Sequence, residues 1–384
     1  MGRPHPCIFK IEEGRGGDGS LLTPLCYEPS LVTRHLRDDG ATATSTVPGS
    51  PPRRIDTDKA EILLLKAHPI VASHLSSARY TLDNGILTPE QRAFYEDNGF
   101  IAIKGLVADE DLERYRDRFE RICRREVTVP GIMIMRDIAI AKSKIAAQDQ
   151  SSVTKVQDFQ QDPILFMYCQ LPEILQYVEC FAGPDITAIH SMLINKPPDT
   201  GRSLRVAAGL KTSRHPLHQD LHFFPFEPAD RIVCAWTAMQ HIDRENGTLV
   251  VLPGTHKGDL KPHAYPEWEV REGGVNKLYH AVRDFDPATP RLHLTMEKGD
   301  TVFFHPLLIH GSGMNRTDGF RKAISCHFVS GQCHYIDVKG TSRENTEEEI
   351  IGMYRHNFDK DAKPSLIDVW HWKARLVKGR TLQL

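Results

Sequence analysis

The 384-residue chain has no Cys-x-x-Cys pair, and its eight cysteines, at positions 7, 26, 123, 169, 180, 234, 326 and 333, keep no regular spacing. Zinc knuckles and disulfide frameworks need such spacing, so the thiols read as reduced and, in several cases, buried as small hydrophobes. Basic residues do not outnumber acidic ones; a formal net charge of −2 offers nothing to recruit nucleic acid. No apolar run approaches the ~18–20 residues of a membrane span. The run beginning at Ile62 is broken by Lys66 after four residues and lies too far along the chain for a secretory signal. No internal repeat is visible. What remains is a soluble intracellular protein, whose 40% hydrophobic and 26% charged residues can build an ordinary core. One excess stands against these shortages: nineteen histidines, which raise the expectation of metal chemistry.

Residues 1–77 differ in texture from the rest. Gly14–Gly19 and Thr42–Pro52 are poor in periodic apolar content, so a poorly ordered leader, processed or serving in targeting, is expected there. From Tyr80 the pattern becomes that of a folded domain. Thr88 reads as an N-cap, with Pro89 in the first helical position and Gln91 completing a capping box. Asn98-Gly99 ends that helix, and Phe100–Lys104 alternates as a strand. A charged amphipathic helix is expected over 108–125, a strand over Ile132–Ile140 and a helix over Asp162–Phe181. Short apolar runs follow between turn residues: Thr187–Ile194, Leu217–Phe224, Ile232–Met239, Thr248–Leu252, Leu292–Met296, Thr301–Phe304 and Ala323–Phe328. Their spacing predicts a mainly β fold with flanking helices, a double-stranded β-helix (jelly-roll, cupin-like) barrel. Glu347–Tyr354 and Leu366–Leu376 read as closing helices.

His218-Gln219-Asp220 carries the first chemical signal. On a strand, residues two apart share a face, so one imidazole and one carboxylate would address a single point. A histidine from elsewhere would complete a facial two-histidine, one-carboxylate set that binds iron(II) and leaves positions open. The motif alone is weak: His241-Ile-Asp243 repeats it, directly before the turn Arg244-Glu-Asn-Gly, and reads as a hairpin end. His310-Gly311 gives His218 its partner, at the end of an expected strand that starts from Lys298-Gly-Asp. Arg321 follows eleven residues later on the expected adjacent strand. Its guanidinium suits the distal carboxylate of a keto acid, which it meets through two parallel charge-assisted hydrogen bonds. His222 reads as a structural or orienting residue and His305 as a core residue; His327 and His334 have no partner that the sequence identifies. Arg202, Arg205, Lys211 and Arg214 read as a solvated loop, with coenzyme A phosphates as the alternative.

Tyr80-Thr-Leu-Asp-Asn, Val153-Thr-Lys-Val-Gln-Asp-Phe-Gln, Met192-Leu-Ile-Asn-Lys-Pro-Pro-Asp, Arg214-His-Pro-Leu-His-Gln-Asp-Leu-His, Cys234-Ala-Trp-Thr-Ala-Met and Phe304-His-Pro-Leu-Leu-Ile-His-Gly-Ser-Gly together resemble the phytanoyl-CoA 2-hydroxylase family, peroxisomal dioxygenases of branched-chain fatty acid α-oxidation. The resemblance runs from about residue 78 to the end, so residues 78–384 are expected to form the iron/2-oxoglutarate dioxygenase domain. It implies iron(II) on His218, Asp220 and His310, and 2-oxoglutarate on Arg321 in a pocket lined by Lys155, Met192 and Trp236. It further implies O2 as cosubstrate, ascorbate as reductant, a branched-chain fatty acyl-CoA hydroxylated at C2, and a peroxisomal location. Without the resemblance, Lys155 and Trp236 would read as a surface lysine and a core tryptophan. The alternatives are a related dioxygenase for another acyl-CoA or a small molecule, and a barrel that binds without turnover. The chain departs from the family in its leader, in apparent insertions at Ser203–Leu210 and Val270-Arg-Glu, and in lacking a recognisable peroxisomal targeting motif.

Overall fold

The computed structural model describes residues 78–136, 153–199, 213–267 and 276–380. The expected leader, both apparent insertions, and Arg202, Arg205 and Lys211 lie outside the described residues.

Helix α1 (Pro89–Asn98) begins as its sequence predicts. Thr88 Oγ1 accepts from the Gln91 N–H, the Gln91 side chain accepts from the Thr88 N–H, and Gly99 at φ 78° ends the helix. Strand β1 (Phe100–Ile103) follows, then α2 (Asp109–Cys123), which buries Leu112, Tyr115, Phe119, Ile122 and Cys123 along one stripe. β2 (Met133–Arg136) and β3 (Val153–Gln157) precede the first departure from expectation. The single helix predicted over Asp162–Phe181 is two pieces, a 3-10 turn at Leu165–Gln170 and α3 (Pro172–Ala182). Pro172 forces the break: it has no N–H to donate and drives Leu171 to an extended ψ of 123°.

The chain continues through β4 (Ile186–Lys196), β5 (His215–His218), β6 (Phe226–Glu227), β7 (Ile232–Ala238), β8 (Leu249–Val251), β9 (His263–Ala264), β10 (Ala281–Val282) and β11 (Leu292–His293). After these come β12 (Thr301–Phe304), β13 (His310–Ser312), β14 (Arg321–Ser330), β15 (His334–Tyr335), α4 (Glu344–Asn357), α5 (Leu366–Lys373) and β16 (Arg375–Lys378). The helix expected to reach Leu376 therefore stops at Lys373, and the chain ends this stretch as a strand paired with β4.

Among the described residues, eight strands form a major sheet in the order β1-β12-β7-β14-β4-β3-β2, with β16 also on β4. Four more form a minor sheet, β11-β8-β13-β5. Parity along the strands tells which side each residue serves. Ile101, Val233, Ala235, Phe303, Ile324 and Phe328 pack outward against α2 and α3 residues such as Phe119 and Phe181. Phe100, Trp236, Val302, Phe304 and Ala323 point the other way, onto Leu249, Val251 and Leu294 of the minor sheet and its flanks. The central strands are consequently buried on both faces, which is why they read as continuous apolar runs. No helix among the described residues is long and apolar enough to cross a membrane.

Candidate active site

His218 and His310 are directly opposed across the antiparallel pair β5–β13, with ring centroids 4.3 Å apart. The two strands pass closely: a Cβ on Gly311 would lie 2.9 Å from the carbonyl oxygens of His215 and Pro216. Glycine at 311 is what lets His310 come level with His218.

Asp220 reaches the same point by a different route from the one its spacing predicts. The expected strand over Leu217–Phe224 ends at His218, and Asp220 opens a 3-10 turn, Asp220–Phe223. The bend in the chain brings its carboxylate back, so that Oδ1 lies 3.2 Å from His218 Nε2 and 3.7 Å from His310 Nε2. His310 also differs from its expected setting. Thr301 to His310 is not one strand: the chain leaves β12 in the major sheet at Phe304, turns, and enters β13 in the minor sheet at His310. Arg321 correspondingly sits on β14 of the major sheet, between β7 and β4, rather than on a strand adjacent to β13. Hydropathy marks buried residues but not the point where a chain crosses from one sheet to the other.

Both imidazoles are oriented from behind. His218 Nδ1 lies 2.9 Å from the Pro216 carbonyl and His310 Nδ1 lies 3.0 Å from the Leu308 carbonyl. An Nδ1–H donated to each carbonyl leaves both Nε2 lone pairs facing the carboxylate. Burial pushes the His310 imidazole down to about 4, keeping it neutral. Burial alone would raise the Asp220 carboxyl, but His310 and His327 outweigh it and hold the carboxyl well below its usual range. Three acceptor atoms thus converge within 4.8 Å of one another at three buried residues. Such a donor set lacks only a cation. Asp220, Cys234 and His327 form a second cluster of similar span, but burial pushes the Cys234 thiol up, away from the thiolate that a metal needs.

His327, to which the sequence gives no partner, proves to be part of the site. Its Nε2 lies 2.8 Å from Asp220 Oδ2, so the carboxylate spans from the minor-sheet histidines to β14 of the major sheet. No sequence signal links residues 107 apart. The repeated motif at His241 and Asp243 stays outside: His241 is exposed and Asp243 half-buried, and Asp243 Oδ1 accepts from the Glu245 and Asn246 N–H groups in a turn. His222 also stays apart, fully buried with Nε2 2.9 Å from His280 Nδ1. His305 is a core residue, 1% exposed.

Among the described residues, Arg321, 1% exposed, is held through one donor, Nη2 to the Gly247 carbonyl at 2.8 Å, while Nε and Nη1 have no partner. Burial lowers its pKa to about 9. Its guanidinium carbon lies 5.5 Å from the centroid of Trp236, the neighbour on β7. Both line a cavity whose wall also includes Lys155, Met192, His218, Asp220 and His310. Burial lowers the Lys155 ammonium to about 8. All seven sequence-predicted residues are therefore brought around one space.

Two facing antiparallel sheets with a buried His-Asp-His set between them define a jelly-roll enzyme of the 2-oxoglutarate-dependent class. The solved structure of EctD from S. alaskensis with bound Fe shares this fold, at a TM-score of 0.51 and 14% identity, over 68% of this chain and 84% of that one. The chain belongs to the phytanoyl-CoA dioxygenase family, whose model matches residues 95–323. Phytanoyl-CoA dioxygenase, peroxisomal, of Homo sapiens is 61% identical over 311 residues, covering 81% of this chain and 88% of that protein. The Mus musculus protein of the same name is 62% identical over 306 residues, covering 80% and 87%. A probable phytanoyl-CoA dioxygenase of Caenorhabditis elegans is 50% identical over 316 residues, covering 79% and 97%. The expected family, barrel and enzyme class are borne out, and the mammalian relatives carry the expected peroxisomal location in their names.

Proposed function

We propose that the chain hydroxylates C2 of a 3-methyl-branched fatty acyl-CoA, phytanoyl-CoA in the first instance, using iron(II), 2-oxoglutarate and O2, with ascorbate as the reductant that maintains the metal. The observation that carries the reading is a pair of incomplete partners in one cavity: three converging acceptors on His218, Asp220 and His310, and a buried Arg321 with two unused donors. A cation completes the first and a carboxylate the second. A chelating keto diacid answers both needs at once.

His218, Asp220 and His310 would hold the metal through their converging acceptor atoms. Arg321 takes the distal carboxylate through its two unpaired donors, Lys155 adds a second cation, and Trp236 and Met192 form the apolar walls. The bound iron and keto acid supply the activated oxygen for C–H hydroxylation, with succinate and CO2 as coproducts. The protein contributes orientation and the exclusion of water, both inherent in a site buried between two sheets.

The direct test is succinate release and 2-hydroxyacyl-CoA formation by purified protein supplied with iron(II), 2-oxoglutarate and phytanoyl-CoA. His218→Ala and Asp220→Ala should abolish both products. Turnover by Asp220→Ala at the wild-type rate would overturn the metal assignment. Wild-type succinate release that ignores added acyl-CoA would overturn the substrate assignment.

A further inference from the structure

The cavity that holds Arg321 adjoins a second one, and the two share Lys155, Met192, His215, His218, Asp220 and His327. His218 and Asp220 thus stand where two chambers of different chemistry meet, with His310 on the side of the first. Beyond it, the second chamber is walled by Met133, Met135, Met353, Tyr354, Phe358 and Trp372. Tyr354, Phe358 and Trp372 form a three-ring cluster, with centroids 5.1, 4.7 and 5.8 Å apart. Three polar groups of this wall are committed to each other: Asp158 Oδ1 lies 2.8 Å from His190 Nδ1 and 3.2 Å from Lys373 Nζ. Three non-glycine residues of the described chain have positive φ, and two of them, Asp158 at 55° and Leu278 at 59°, line this chamber. Backbone of that kind concentrates at ligand sites because packing must hold it there. At Leu278 the holding groups are Glu349 of α4 and Tyr265, whose Oε2 and hydroxyl oxygen respectively each accept from the Leu278 N–H at 3.2 Å.

Resting on the reading of the protein as an acyl-CoA hydroxylase, we infer that this second chamber houses the acyl chain, and that Met353, Tyr354, Phe358 and Trp372 set the chain length it accepts. Three considerations favour such an occupant. The chamber opens onto the proposed reacting centre, so a chain lying in it places one of its ends beside the metal set. Its Asp158, His190 and Lys373 are paired with one another, and the remaining lysines lie at its margins, Lys155 on the side shared with the first cavity and Lys277 exposed to solvent. Its methionines are unbranched and can conform to an irregular, methyl-branched chain. The three rings supply a stiff end wall carried by α4, α5 and the residues beside them.

The experiment compares a long 3-methyl-branched acyl-CoA with 3-methylbutanoyl-CoA in the wild type and in Met353→Trp, which fills the chamber. KM for the long substrate should rise about tenfold, equivalent to ~1.4 kcal/mol of lost contact, while the short substrate is unaffected. Equal effects on both, or no effect on either, would overturn the assignment. A wild type that turns over neither substrate sinks the hydroxylase reading, and the chamber is then judged separately by binding. A long acyl-CoA brominated near its tail should quench tryptophan fluorescence, and Trp372→Phe should remove most of that quenching. Undiminished quenching in Trp372→Phe would overturn the end-wall role of the three rings, since Trp370 also lines the chamber.

Discussion

His327 is the residue whose removal tests the site without touching a proposed ligand. It holds the outer oxygen of Asp220, so His327→Ala should leave the carboxylate free to rotate away from the two imidazoles. We expect iron(II) affinity to fall ~10–100-fold, the usual effect of losing such a supporting partner. An iron titration of succinate formation reads this directly, and an unchanged half-saturation would remove His327 from the site. At this scale the sequence was a good guide to chemical types and a poor one to supports. His218, Asp220, His310 and Arg321 announce themselves because their chemistry and order are unusual together. His327 does not, because its significance lies wholly in a contact made across the barrel.

Single elements were legible wherever the controlling signal is local. The capping box at Thr88 and the stop at Gly99 need only neighbouring residues, and α1 formed as those residues dictate. Pro172 was local too, yet the long apolar run around it concealed its effect. The strand at Leu217–Phe224 failed for a deeper reason: apolar alternation persists through a turn that is itself buried, so nothing in the pattern marks where β5 ends. One element-scale contact is open to a pH test. Asp158, at the end of β3, is paired with Lys373 at the end of α5. Burial alone would raise its pKa, but the Lys373 ammonium and His190 prevail and bring it from 3.8 to about 2. A carboxyl with a depressed folded pKa contributes stability above its unfolded pKa, and that contribution is lost as pH falls through the folded value. In urea unfolding, the advantage of wild type over Asp158→Asn should shrink by ~2 kcal/mol between pH 5 and pH 2. Asparagine tolerates the left-handed backbone at this position, so the substitution isolates the charge. An advantage that does not vary with pH would show that the pair contributes packing alone.

For the molecule as a whole, pairing order is the feature furthest from sequence. Strand lengths and burial were readable, but β12 lies between β1 and β7, and β14 between β7 and β4, contacts between residues as distant in the chain as Phe100 and Phe304. Stability of the whole should respond to what fills the first cavity. Arg321 is buried with two donors unused, so 2-oxoglutarate together with a divalent metal should raise Tm by several degrees, as any ligand specific to the folded state does. Arg321→Met should lose the diacid's share of that response without lowering the ligand-free Tm, because it removes a buried charge that lacks a partner. Thermal shift measurements with and without the diacid check both halves, and a full response in Arg321→Met would dissociate the arginine from the diacid. The two sheets carry different halves of the proposed site: His218 and His310 stand on the minor sheet, Arg321 on the major one. The width of the barrel is therefore a ruler. A diacid must reach from metal to guanidinium, and the separation of two packed sheets is not adjustable by moving a loop. Diacids one carbon shorter or longer than 2-oxoglutarate, oxaloacetate and 2-oxoadipate, should support little turnover at any concentration, a selection by length made by the barrel's girth.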